Sequence, residues 1–356
     1  MEKPLQACLS KETAGQPQHK LPPLLQAFAE RPLQVSVDTH LSELMHTLQA
    51  AQLDQLPLPG HGQTLQRWRM LAQIGGCDLT LAKLYEGHTD ALAILAECGA
   101  ARLAGNGLWA VWAAEPPDAR ALINSRSGEQ VRLGGRKAWC SGALQVDHAL
   151  ITAWADDDQP QLVAIDLRQP GLRIEPEKWQ AVGMAATASA DIVFDGAIGV
   201  AVGKPGQYLA RPGFWQGGGG IAACWYGAAE ALAGYLHQQR RKPRPDPHGD
   251  AHLGAVDAAL CAARAALHEC AAWIDQHPQA DASLPVRRVR AQVEQAAECV
   301  IHHVGRALGA TPFCRESHFA RLSADLPVYL RQSHAERDLA TLGQQLAQQP
   351  AGAWQL

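Results

Sequence analysis

The chain has 356 residues, 47% of them hydrophobic and 19% charged, with a formal charge of -4. That length buries two or three cores, which sets aside a single small binding module. The composition is that of a globular protein, and the charge is too slight to point to nucleic acid or a membrane surface as partner.

The N-terminal stretch, Met1 to Pro23, is polar and Gln-rich, with no basic start followed by an apolar run. It reads as a frayed tail over residues 1–20 rather than a secretory signal. From Leu21 to about Leu103 apolar residues recur at helical spacing, with breakers at Pro32, Pro57-Leu-Pro59-Gly60 and Gly75-Gly76, so residues 21–107 form an expected α-helical domain.

Between Leu108 and Val202 the pattern changes to short runs: His148–Trp154, Gln161–Asp166 and Asp191–Phe194. These read as strands of a middle domain over residues 108–205. Helix returns after Gly213, and residues 206–356 form the expected C-terminal domain. Leu253, Val256, Leu260, Ala263, Leu267, Cys270 and Ile274 fall on one helical face, and Val286, Val289, Val293, Ala296, Val300 and Val304 on another. The Pro-containing loop His277–Pro285 between them predicts antiparallel packing.

The order helices, strands, helices excludes a doubly wound sheet and gives an α+β class. The run Gly217–Gly220 does not follow a strand, so it is a helix start or packing surface rather than a phosphate loop. Gly217–Leu236 carries almost no charge, but Glu230 and its small residues favour a helix packed closely on others over a membrane span. Nine cysteines, with the closest pair at Cys261 and Cys270, give no CxxC motif. Reduced thiols and a cytoplasmic location are expected.

Four stretches, in order, resemble the acyl-CoA dehydrogenase superfamily. Trp112-Ala-Ala-Glu115-Pro116 is similar to the flavin-side strand ending in Thr-Glu-Pro, and Gly135–Gly142, with Trp139-Cys140-Ser141, is similar to the Trp-Ile-Thr/Ser segment over the isoalloxazine. Trp179–Gly196 resembles the stretch that closes the middle domain. Arg306–Ala310 to Ala324-Asp325 resembles the Gly-Gly loop and Arg-Asp pair. The resemblance implies an N-terminal α-helical domain, a middle β-barrel-like domain and a C-terminal four-helix bundle. It also implies FAD as cofactor, a small acyl substrate such as a CoA thioester, an electron-transfer flavoprotein or other acceptor, and a homodimer or homotetramer.

Carried over residue by residue, the resemblance assigns Val111, Ala113 and Ala114 to backbone contacts with the flavin, and Trp139 and Ser141 to its face and edge. Arg241 is assigned to a flavin phosphate and Gly309 to the glycine loop. A tryptophan covers a flat ring and a hydroxyl exchanges hydrogen bonds with its edge. Arg120 stands near the place of a missing phosphate-binding Ser, though a solvated surface Arg fits equally. Arg240-Arg241-Lys242 reads alternatively as a charged helix end that complements the macrodipole.

The family's catalytic Glu falls on Ser333, and its alternative position falls on Gln216-Gly217-Gly218, so neither carries an acid. A serine is no base at neutral pH without help. His334, beside Ser333, exchanges protons at working pH, and Glu336 is close in sequence. Ser333 and Glu336 read alternatively as a capping box. The segment His334 to Asp338 also resembles the His-x-x-x-Asp of flavin monooxygenases of this fold, which need no α-proton base. His302-His303 lack metal-ligand spacing. Three functions follow: an FAD-dependent acyl-CoA dehydrogenase-type oxidoreductase, a flavin monooxygenase, and a non-catalytic acyl- or partner-binding scaffold.

Overall fold

The computed structural model describes residues 21–31, 39–155, 159–243 and 245–355. The tail expected over residues 1–20 and the Pro32 breaker lie outside them. The described chain begins with four helices: α1 (Leu21–Ala29), α2 (Thr39–Ala50), α3 (Thr64–Cys77) and α4 (Leu79–Glu97). Only Asp78 separates α3 from α4, and its carboxylate caps α4 by accepting the Leu81 N–H at 2.9 Å. Arg31 meets the same carboxylate at 2.7 Å and Arg321 at 3.4 Å, so this buried acid is fully paired.

Gly75-Gly76, expected as a breaker, lies inside α3 instead. A Cβ at Gly75 would come within 2.3 Å of the Cys224 carbonyl oxygen, and one at Gly76 within 3.0 Å of that of Gly227. The glycines are there for close helix approach, and that gain outweighs their low helix propensity.

Seven strands follow: β1 (Trp109–Trp112), β2 (Ala121–Ser127), β3 (Gln130–Cys140), β4 (His148–Trp154), β5 (Pro160–Asp166), β6 (Leu172–Glu175) and β7 (Ala190–Val202). They pair in the order β1-β4-β2-β3-β7-β5, and β5 pairs β4 as well, so the path closes into a small barrel. β1 runs parallel to β4, and β6 lies antiparallel to β7 outside the circuit. Closure leaves few free edges, and the interior is filled by side chains such as Val131, Leu133, Ile151, Val163, Ile192 and Phe194. β4 is buried at five successive positions, Ala149–Ala153, because its outer face is covered too: Leu150 joins Trp109 and Leu162 against Ala91, Ile94 and Leu95 of α4.

The remaining helices are α5 (Gln207–Ala210), α6 (Gly213–Arg240), α7 (Pro247–Gln276), α8 (Ser283–Leu308), α9 (Ala310–Arg315), α10 (Ser317–Leu330) and α11 (Glu336–Ala347). Asp246 caps α7 by accepting the Gly249 N–H, with Pro247 in the first turn. α7 and α8 form a hairpin on the two apolar faces read from the sequence, with Val256, Ala263, Leu267 and Ile274 opposite Val286, Val289, Val293 and Val300. Leu253 and Leu260 are only half-buried. α8 starts at Ser283, so Pro285 lies in its first turn, where a missing N–H costs nothing.

α6, α7, α8 and α10 pack as a four-helix bundle. Its core is continuous with that of the N-terminal helices, through Trp68, Leu71, Trp225, Leu232 and Phe319. Among the described residues no helix is long and apolar enough to cross a membrane. The eight described cysteines are free thiols.

Candidate active site

Three chain segments meet where β1 ends. The β1–β4 ladder stops at the Trp112–Ile151 pair, so the backbone of Ala113 and Ala114 runs on past the sheet. Trp112 is buried and its indole Nε1–H donates to the Ser141 carbonyl at 3.0 Å, which ties the end of β1 to the turn after β3. Val111 is half-buried beside Ala113 in the cluster that joins the barrel to α4.

Beyond them the Glu115 carboxylate accepts from Thr152 Oγ1 at 2.6 Å, Trp154 Nε1 at 2.8 Å and Lys137 Nζ at 3.2 Å. Burial raises this carboxyl, but the two hydrogen bonds and the Lys137 charge outweigh it, and Glu115 titrates below the usual carboxylate range. Lys137 has no exposed side-chain surface, so the pair is an internal fastening of the barrel mouth. Arg120, considered above for a phosphate, lies instead over the Trp154 ring at 4.2 Å.

Trp139 occupies a β-bulge. Lys137 pairs Ile192 and Cys140 pairs Ala190, so β3 carries one residue more than β7 between these points. Trp139 has φ +58° and is 59% exposed. A left-handed backbone costs a tryptophan on the order of 1 kcal/mol, and the bulge turns its indole out of the barrel into a cleft. That cleft, about 230 Å³, is also lined by Pro116, Arg136, Lys178, Trp179 and Ser189. Arg136 bridges Asp118 at 2.7 Å and Asp191 at 2.8 Å, and Lys178 meets Asp191 at 3.3 Å.

Ser141 is held in a chain of hydroxyls. Ser189 Oγ donates to Ser141 Oγ at 3.1 Å, Ser189 and Thr187 are 2.9 Å apart, and Thr187 Oγ1 donates to the Met184 carbonyl at 2.7 Å. The Gly142 N–H donates to the Thr187 carbonyl at 2.7 Å, which locks the two turns together. The turn is anchored from behind: the Met184 N–H donates to Asp325 Oδ1 on α10 at 2.5 Å. Burial pushes the Asp325 carboxyl up to about 7, although that N–H pulls the other way.

The structure ties Ser141 to the end of β1 through Trp112 and to Ser189, which lines the Trp139 cleft, whereas Val111 and Ala113 pack in the cluster between the barrel and α4. The other site residues expected from the sequence lie on different surfaces. Ser333 is buried among Trp215, Arg287, Arg290 and Ala335, and its hydroxyl accepts the Ala335 N–H at 3.1 Å. The capping box does not form: α11 begins after Ala335, and Asp338 rather than Glu336 reaches back, accepting the His334 N–H at 3.0 Å. Asp338 wins because it also pairs with Arg287 at 3.3 Å. The His334 side chain is 71% exposed. Arg241 is exposed at the end of α6, and Gly309 is exposed between α8 and α9 with φ +63°. His303 contacts His252, and among the described residues no group of His, Cys, Asp and Glu could hold a metal.

Sequence reasoning overlooked Thr187, Ser189 and the Glu115–Lys137 pair. Thr187 ends a 3-10 turn and Ala188 after it is left-handed, so no strand or helix period marks Thr187 and Ser189 in the sequence.

No family model matches the sequence, and neither does any curated protein. Solved structures do match in three dimensions. TdsC from Paenibacillus sp. A11-2, in complex with FMN and indole, matches at TM-score 0.73 and 16% identity over 91% of this chain and 95% of its own. KijD3 in complex with FMN and a dTDP-linked amino sugar matches at TM-score 0.78 and 18% identity over 94% of this chain and 93% of its own. The chain has the acyl-CoA dehydrogenase-type fold. Methanesulfinate monooxygenase MsuC from Pseudomonas fluorescens, at TM-score 0.73 and 17% identity over 91% of this chain and 95% of its own, is similar in the same way. The acyl-CoA dehydrogenase-type fold is what these likenesses share, and it agrees with the helix, barrel and bundle order described above.

Proposed function

We propose that this chain is a flavin-dependent oxidoreductase that works as a monooxygenase on a small organic substrate, with the flavin lying against Trp139 and Ser141. The bulged tryptophan carries the reading. It combines a left-handed backbone with a largely exposed indole at the mouth of a cleft, a combination that persists where a ligand uses it.

The residues present suit a flat heteroaromatic group. Trp139 offers a face, the Ser141–Ser189 hydroxyls offer donors and acceptors to a ring edge, and Ala113-Ala114 offers backbone beyond the sheet ladder. When bound, a flavin supplies the electron transfer that no side chain can. The chain's part is to hold that ring and exclude water. Trp112 and the Glu115–Lys137 pair fix the strand end, and Asp325 fixes the hydroxyl turn.

Oxygen use is favoured over acyl-thioester dehydrogenation because the latter needs a base, and the Ser333 hydroxyl is engaged with its own turn beside two arginines. The similar structures support this too: TdsC is a dibenzothiophene monooxygenase and MsuC a methanesulfinate monooxygenase, and the TdsC and KijD3 complexes contain FMN. We take FMN as the cofactor in place of the FAD implied by the sequence resemblance. A supplier of reduced flavin then replaces the electron-transfer flavoprotein. A homo-oligomer is retained from that resemblance.

The test is to load the purified protein separately with FMN and FAD and record absorbance between roughly 350 and 500 nm. A retained FMN spectrum, with substrate-dependent oxygen uptake from reduced flavin, supports the reading. A colourless protein that takes up neither flavin sinks it in favour of a scaffold, and reduction of a dye by an acyl-CoA without oxygen uptake returns it to dehydrogenation.

A further inference from the structure

The cleft beside Trp139 has a second indole in its wall. Trp179 follows a 3-10 turn, Pro176–Lys178, and its N–H donates back to the Pro176 carbonyl at 3.1 Å. One edge of its ring is tied: Nε1–H donates to the Met184 carbonyl at 3.3 Å, the same oxygen that accepts from Thr187. Trp179 is also half-buried against the helical core, so packing and hydrogen bonding together hold it still.

Trp139 comes from β3 and Trp179 from the segment between β6 and β7, and both line the same space of about 230 Å³. Among the described residues neither ring pairs with another aromatic ring, and they do not touch each other. The charges around the cleft are already neutralised. Arg136 is held by Asp118 and Asp191, and Lys178 by Asp191 and by Glu175 at 3.5 Å. A phosphate entering here would have to displace carboxylates from both cations. An uncharged ring meets instead the two indoles, Pro116, Ala138 and the Ser189 hydroxyl.

We propose that Trp139 and Trp179 are the two jaws of a clamp that grips the uncharged tricyclic ring of the flavin, with the phosphate held outside the cleft. For the identity of that ring the inference rests on the flavoenzyme reading above. Trp179 is the fixed jaw, which loses little freedom on binding because it is already tied, and Trp139 is the exposed one that a bound ring covers. Grip on the ring alone makes Trp179 matter equally to flavins with and without a phosphate.

Titrations of the full chain with FMN and with lumiflavin, the same ring with a methyl group in place of the ribityl phosphate, test this. Trp179→Leu is expected to weaken both about tenfold, the loss typical of one stacked aromatic face. Trp179→Phe keeps a face but not the Nε1 donor, and binding of both probes is expected to stay within about twofold of the wild type. In Trp139→Leu a remnant of the flavin fluorescence quenching survives, and it disappears in the double variant. The clamp is overturned if Trp179→Leu binds both probes like the wild type, if only FMN is weakened, or if Trp179→Phe loses as much as Trp179→Leu. It is equally overturned if the wild type does not bind lumiflavin, or if Trp139→Leu binds FMN with no quenching left. The two ideas fail separately. Trp179-dependent lumiflavin binding in a protein that retains no FMN upholds the clamp and sinks the flavoenzyme, whereas FMN binding that needs Trp139 but not Trp179 does the reverse.

Discussion

The cleft at the strand ends and the segment after α10 both present hydroxyls, charged groups and an aromatic or imidazole ring, yet their bonds do different things. Around Trp139 and Ser141 the hydrogen bonds run between segments far apart in sequence, from β1 to the turn after β3, on to the turn before β7, and back to α10. They fix geometry and leave the indole outward. The bonds made by Ser333 and His334 themselves are local, within one turn, and the ties from α8, Arg287 to Asp338 and Arg290 to the Gln332 carbonyl, serve the same end of starting α11. A site is recognised by convergence from distant elements, and a list of reactive residue types does not show it.

The sharpest way to break this comparison is at the Glu115–Lys137 fastening. Glu115→Ala leaves a fully buried ammonium uncompensated and should cost about 3 kcal/mol of stability in urea unfolding. A loss below about 0.5 kcal/mol would mean that the barrel mouth is not held this way.

Next in size is the pH response of the anchor behind the hydroxyl turn. The folded Asp325 carboxyl keeps its proton up to about 7, whereas an unfolded one releases it near about 3.9. Between those values the folded state binds more protons, so stability falls as pH rises through the window. Asp325→Asn, which still accepts the Met184 N–H, should flatten the curve of melting temperature against pH. An unchanged slope would clear Asp325 of that role.

The remaining two changes concern the other region, where small effects are the expectation. Ser333→Glu places its acid beside Arg287 and Arg290, and an ion pair there should form without any acyl-CoA-dependent dye reduction. Appearance of dehydrogenase activity would move position 333 into the active site. His334→Ala, at a side chain 71% exposed, should change stability by less than about 0.5 kcal/mol.

Much of the fold was legible because burial imposes periodicity. β4 coincides with the predicted run His148–Trp154, and the faces of α7 and α8 appear as steps of three and four. Legibility failed where glycine serves packing instead of turning, as at Gly75-Gly76, since a sequence shows the missing side chain but not the neighbour that needs the space. At the site, the resemblance led to Trp139 and Ser141, but nothing local marks Trp139 as a left-handed bulge residue. The capping box at Ser333 went to Asp338 because Arg287, from another helix, stabilises that choice.

The most direct measurement is a titration of FMN fluorescence with wild-type protein and with Trp139→Leu, a surface change that leaves the fold intact. Stacking on the indole predicts strong quenching by the wild type, with most of it lost and binding at least about tenfold weaker in the variant. Equal quenching and equal affinity in the two proteins would contradict the assignment of the cleft to a flavin.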